Sequence, residues 1–135
     1  MGIKDVVKAY FDDFIEAFAT YSGARVASKF SVPYLVRGYS GRTTILQSTE
    51  EVTQHFQAYL DEYQARGCRS CRYANLELKC IGTESILASV DWTLLDQAGA
   101  PVSGWSESYL LSLVGSQVLA YASIDHATSE DVDGD

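Results

Sequence analysis

Glu107 stands in the run Trp105-Ser106-Glu107-Ser108-Tyr109-Leu110-Leu111, and its neighbours two positions away are aromatic. In an extended strand residues two apart share a face, so Trp105, Glu107, Tyr109, Leu111 and Leu113 lie together. A carboxylate in such company loses hydration. Its pKa rises, and it becomes a general acid or base at neutral pH. Tyr109 places a hydroxyl two residues from it. His126 ends the last β-prone run in phase with Ala122 and Ile124 and adds a ring that titrates near neutrality. Glu107, Tyr109 and His126 are therefore the candidate catalytic residues. The plainer alternatives are a rim carboxylate satisfied by a tyrosine hydroxyl, an amide or water, and a solvated terminal histidine.

A ligand for such a group needs an apolar container with a few polar handles. Phe14, Phe18, Tyr34, Tyr59 and Tyr63 from the first half of the chain, with Trp92, Trp105 and Tyr121 from the second, are candidates for its wall; the alternative is ordinary core. Nine tyrosines favour a cavity, because each buried hydroxyl needs a partner and finds one most easily at a wet margin. Arg37, together with Arg42, offers a guanidinium to a ligand carboxylate or phosphate if the turn between their strands faces the opening, and is a solvated hairpin charge otherwise. Arg66, Arg69 and Arg72 are explained as solvated charge near a helix C-terminus.

Other chemistry-bearing residues lead less far. Cys68-Arg69-Ser70-Cys71 has the spacing of a zinc or redox pair, but a zinc site needs a second ligand pair and only Cys80 is near. No metal and no cofactor is expected. Asp91 alternates with the apolar row Ile86, Ala88, Val90, Trp92 and Leu94, which puts it on the outer face. His55 falls just off the apolar stripe of its helix.

The elements that must position these groups are legible from periodicity. Val7, Tyr10, Phe11, Phe14, Ile15 and Phe18 form one helical stripe over about residues 3–20, with Asp12, Asp13 and Glu16 opposite. A short second helix is expected over Ala24 to Phe30, with a break near 31–33 at Pro33. Tyr34-Leu35-Val36 and Thr43-Thr44-Ile45-Leu46 read as two short strands. Ser48 and Glu51 make a capping box, and Val52, Phe56, Tyr59, Leu60 and Tyr63 give the third helix its stripe as far as about Arg66. Four β-prone runs follow, roughly Cys71–Cys80, Ser85–Leu95, Val102–Leu113 and Val118–Ile124, separated by glycine-containing turns.

This order resembles the nuclear-transport-factor-2-like superfamily, which includes ketosteroid isomerase, scytalone dehydratase and SnoaL-type cyclases. The resemblance is carried by Ala9-Tyr10-Phe11-Asp12-Asp13-Phe14, Phe30-Ser31-Val32-Pro33, Ser48-Thr49-Glu50-Glu51-Val52, and the strand pair around Val90-Asp91-Trp92 and Trp105-Ser106-Glu107-Ser108-Tyr109. It implies a single α+β domain in which three N-terminal helices pack on a strongly curved antiparallel sheet, a cystatin-like cone with a pocket for small, mostly apolar molecules. It also implies pairing of two copies through the outer face of the sheet, where Ser89, Asp91 and Thr93 meet Ser106, Ser108 and Leu110. Ketosteroid isomerases place their base on the strand after the second helix, and this chain has no acid between Glu16 and Glu50. Two functions remain open: a lyase, isomerase or hydrolase acting on a small apolar compound, and a non-catalytic ligand-binding or dimeric scaffold module.

Composition narrows the partners. The 135 residues suit one domain with a sizeable core, over 1–127. The net charge is −8, and after Lys79 the chain carries nine carboxylates and no Lys or Arg. No cationic face suited to a phosphate backbone is implied, so nucleic acid is not an expected partner. Neither a signal peptide nor a run long enough to span a bilayer is evident, so no membrane association and a cytoplasmic address are expected. Residues 128–135, polar and acidic, are expected to be a disordered tail.

Overall fold

In the computed structural model, which describes residues 2–127, three helices precede or interrupt a six-stranded curved sheet. Helix α1 spans Ile3–Ala19 and buries Val7, Tyr10, Phe11, Ala17 and Phe18, the face set by its stripe. Helix α2 is only Gly23–Ala27, and Ser22 caps it by accepting a hydrogen bond from the Arg25 amide. Gly23 is required there by close packing: a Cβ would meet the Thr53 carbonyl oxygen at 2.5 Å. Helix α3 spans Thr49–Ala65. Ser48 Oγ accepts from the Glu51 amide at 3.1 Å, while the Glu51 carboxylate accepts from the Gln47 amide at 3.2 Å.

The strands are β1 (Phe30–Arg37), β2 (Thr43–Leu46), β3 (Ser70–Ile81), β4 (Ser85–Leu95), β5 (Pro101–Val114) and β6 (Gln117–Asp125), in the order β2-β1-β6-β5-β4-β3. All neighbouring pairs are antiparallel except β1 with β6, which is parallel. The second helix and the break expected up to residue 33 are corrected here: α2 stops at Ala27, and β1 runs unbroken from Phe30 through Pro33. Pro33 is tolerated because the ladder with β6 skips this stretch, with a register shift between Phe30 and Leu35. The expected tail, 128–135, lies outside the described residues.

Bulges give the sheet its curvature. Asn75 and Leu76 together oppose one residue of β4, with Asn75 at φ 57°, and β6 carries one extra residue, Tyr121, between the partners of Leu110 and Leu111. Along β4 the burial alternates without a break from Ser85 to Leu95. Its buried set, Ile86, Ala88, Val90, Trp92 and Leu94, defines the concave face onto which α1 packs: the Phe11 ring lies 5.5–6.0 Å from those of Tyr73, Trp92 and Tyr109. From the other side α3 stacks Phe56 on Phe30 and Tyr63 on Trp105, with centroids 4.6 and 6.2 Å apart.

Candidate functional site

Between the helices and the concave face the walls leave a cavity of about 590 Å³, within the range of roughly 300–1,000 Å³ typical of small-molecule sites. Phe14, Phe18, Tyr34, Tyr63 and Trp92 line it, as do Phe30 and Phe56. Tyr59, 45% exposed, stands with Arg42 and Arg66 at the mouth.

Glu107 lies in this wall on β5. The Trp105 indole donates to Glu107 Oε1 at 2.8 Å, and the hydroxyls of Tyr109 and Ser123 also hydrogen-bond its carboxylate. Tyr109 is held in turn, because its hydroxyl accepts from the Trp92 indole at 2.9 Å. Trp92 and Trp105 are register partners on β4 and β5, so one rung of the sheet supplies both indole donors. Asp125 faces Glu107 directly across β5 and β6, an arrangement that brings the two Cβ atoms to about 5 Å.

Burial, followed by the Asp125 charge, pushes Glu107 up to about 7, against the three hydrogen bonds that favour its charged form. Asp125 is also raised, mainly by burial. Two carboxyls on one enclosed face resist double ionisation, so near neutrality the pair holds a proton between them. The phenols of Tyr34 and Tyr109 are raised by burial and then by the Glu107 charge, so both remain hydrogen donors. Chemically, the wall presents a carboxylic acid, a carboxylate and hydroxyl donors in an aromatic enclosure. That set binds an oxygen-bearing organic molecule and can both give and take a proton.

Of the residues proposed from sequence, Glu107, Tyr109, Phe14, Phe18, Tyr34, Tyr59, Tyr63, Trp92 and Trp105 all line the cavity. Three do not. His126 lies on the convex face, its Nε2 2.7 Å from Ser108 Oγ, which is itself 2.6 Å from Ser89 Oγ. Parity ties His126 to Ala122 and Ile124, but the bulge at Tyr121 moves that whole row outward and turns Ser123 and Asp125 inward. Tyr121 is the bulge residue itself, and its hydroxyl reaches Ser85 Oγ at 3.1 Å. Arg37 is one residue out of phase with Tyr34 and Val36, which face the cavity, and its guanidinium donates to Thr43 Oγ1 at 2.8 Å across the β1–β2 hairpin.

The sequence reading missed Asp125, Ser123, Arg66 and His55 as lining residues. Asp125 and Ser123 become visible only once the bulge is known, and no glycine marks it. His55 packs edge-on to Phe56 and Tyr59, with centroids 5.1 Å away in each case, and burial lowers its pKa. Cys71 also reaches the cavity wall, where burial pushes its thiol up to about 12, which suits packing and not nucleophilic attack. All three cysteines are free, and no metal-ligand cluster occurs among the described residues.

A helix-covered, strongly curved sheet with an enclosed acid pair on its concave wall defines a cone-shaped α+β fold with an internal pocket. The chain belongs to the family described as NTF2-like protein (DUF6841), whose model matches residues 4–119. Similar solved structures include Aln2 from a Streptomyces species, at TM-score 0.74 and 12% identity over 92% of this chain and 89% of that one. A Nostoc punctiforme protein of unknown function with a cystatin-like fold has TM-score 0.73 and 15% identity, covering 90% and 88%. The yeast UBP3-associated protein BRE5 has TM-score 0.71 and 16% identity, covering 95% and 99%. No curated protein matches the chain. At these identities the likeness concerns the fold alone, and function must be argued from the site.

Proposed function

We propose that this protein binds a small, largely apolar organic compound in the concave cavity and moves a proton on it with Glu107, in the manner of a lyase, isomerase or hydrolase. The observation that carries this reading is the enclosure of Glu107 opposite Asp125, with the Trp105 indole fixing one carboxyl oxygen. A scaffold core has no need of a buried acid pair, since replacing such groups by apolar residues of similar volume is often neutral or stabilising. The acid comes from β5 and β6, whereas β1 contributes only Phe30, Tyr34 and Val36 to the cavity. In the proposed step the ionised member of the pair accepts a proton from carbon next to a carbonyl. Glu107 in its neutral form, with Tyr109, donates to the oxygen that gains charge.

The test uses 2-tetralone in deuterated buffer, with loss of the α-proton signal followed by NMR. Catalysed exchange that disappears in Glu107→Gln supports the reading. If exchange at buffer rate persists across a panel of cyclic ketones that do bind, the protein is a non-catalytic ligand-binding module.

The free thiols suit a reducing, cytoplasmic setting, and among the described residues no helix is long and apolar enough to cross a membrane. The convex face favours a second proposal, that two copies pair through it. Exposed Ile124 there lies opposite Ser108, and exposed Leu35 lies opposite Ala122, a mixed surface of the kind found in moderately wet interfaces. Light scattering at micromolar concentration checks this, and a mass near 14.8 kDa would exclude it.

A further inference from the structure

Four charged side chains face the cavity besides the weakly basic His55: Glu107 and Asp125 on the wall, Arg42 and Arg66 at the mouth. The only ion pair among the described residues is Lys29 with Asp13, neither of which lines the cavity. Neither Arg42 nor Arg66 donates a side-chain hydrogen bond to another described residue. In a chain of net charge −8 with eighteen carboxylates, two guanidinium groups on one cavity with no side-chain hydrogen bond or ion pair among the described residues are a selective placement.

Their positions bracket the entrance. Arg42 ends the one-turn helix Tyr39–Gly41 before β2, and its charge acts on the phenol of Tyr59, in the middle of α3. Arg66 caps the C-terminus of α3. It follows Tyr59 by seven residues, two helical turns, or about 10 Å along the same face. Between these cations the aromatic wall leads inward to Glu107. A body that reaches the acid pair therefore leaves its outer end between two cationic donors.

We propose that the pocket's ligand is an amphipathic anion, an apolar ring system bearing a carboxylate, whose charged end Arg42 and Arg66 hold at the mouth while the ring lies against the aromatic wall. This rests on the pocket reading above. It deepens it by stating which end of the ligand enters last. An organic ammonium, which an aromatic cage with two acids also suits in principle, meets two cations at the door and is disfavoured.

Three ligands of one shape separate the cases: 2-naphthoate, neutral 2-naphthamide, and 2-naphthylmethylammonium, each titrated by calorimetry at low salt. The naphthoate binds about tenfold more tightly than the amide, the scale of one charge-assisted contact. The ammonium binds weakest. In the double variant Arg42→Gln/Arg66→Gln, checked as folded by circular dichroism, the naphthoate advantage falls below about twofold while the amide is unchanged. An amide that binds as well as the naphthoate, a tighter ammonium, or an advantage that survives the double variant overturns the anion proposal and leaves the pocket standing. If none of the three binds, the pocket reading fails and this proposal with it.

Discussion

One step along β4 and β5 separates two acids with opposite fates. Val90 pairs with Glu107 on the concave side, and Asp91 pairs with Ser106 on the convex side. Glu107 is walled in by Trp105, Tyr109 and the helices, faces a second carboxyl, and is pushed up to about 7. Asp91, half-buried on the convex side, accepts from Asn75 at 2.7 Å and Ser106 at 2.5 Å, and those hydrogen bonds lower it. Hydrogen-bond donors surround both carboxylates. Access to water decides the difference, because desolvation outweighs donation for Glu107 and is minor for Asp91. The same sheet is thus a place to store a proton on one face and an ordinary polar surface on the other.

The comparison breaks most visibly at Glu107. Substitution by Gln is expected to reduce proton exchange on 2-tetralone by at least about a hundredfold, the scale of general acid–base catalysis. Stability gives a second readout, with its sign set by the raised pKa. The unfolded carboxyl ionises near its ordinary 4.5, while the folded one ionises near 7. Stability is therefore lost progressively as pH rises from 4.5 through 7, by up to about 3 kcal/mol from this group. Urea titrations at about pH 5 and about pH 8 should show that slope in the wild type and a flatter one in Glu107→Gln.

Tyr109→Phe removes the acceptor of the buried Trp92 indole and one donor to Glu107. It should cost about 1–3 kcal/mol by urea denaturation, the penalty of an unsatisfied buried donor. Trp105→Phe keeps an aromatic, though smaller, ring and loses the bond to Glu107 Oε1. The carboxyl resonance of Glu107 should then titrate higher, by about one unit, since a donor to the charged form has gone. On the convex side the effects are smallest. Ser106→Ala should let Asp91 titrate closer to its ordinary value, with only a small fall in urea midpoint at neutral pH, because solvent screens the group. His126→Gln should leave exchange on 2-tetralone at the wild-type rate, and a loss there would return His126 to the site.

Most of the fold was legible because its signals are local. The stripe from Val7 to Phe18, the Ser48 cap, and the uninterrupted alternation along β4 each follow from side-chain period and backbone hydrogen bonding within one element. The second helix was overextended because Ala24 to Phe30 satisfies helical spacing, whereas Phe30 is claimed by β1, stacked on Phe56 and bonded to β6. Glu107 was found because no bulge interrupts β5 between Trp105 and Leu110. Asp125 and His126 were exchanged because a single extra residue at Tyr121 inverts the parity of everything after it.

Sequence by itself determined which residues are apolar, where helices begin, and that an acid sits in the row of Trp105 and Tyr109, since these depend on neighbours a few residues away. Tertiary structure alone decided that Asp125 stands opposite Glu107, that Arg42 and Arg66 share one mouth, and that Arg37 does not join them. These are relations across strands and between elements. Their geometry follows from bulges and sheet curvature, which arise from how the whole layer packs under its helices and which no short window of sequence encodes.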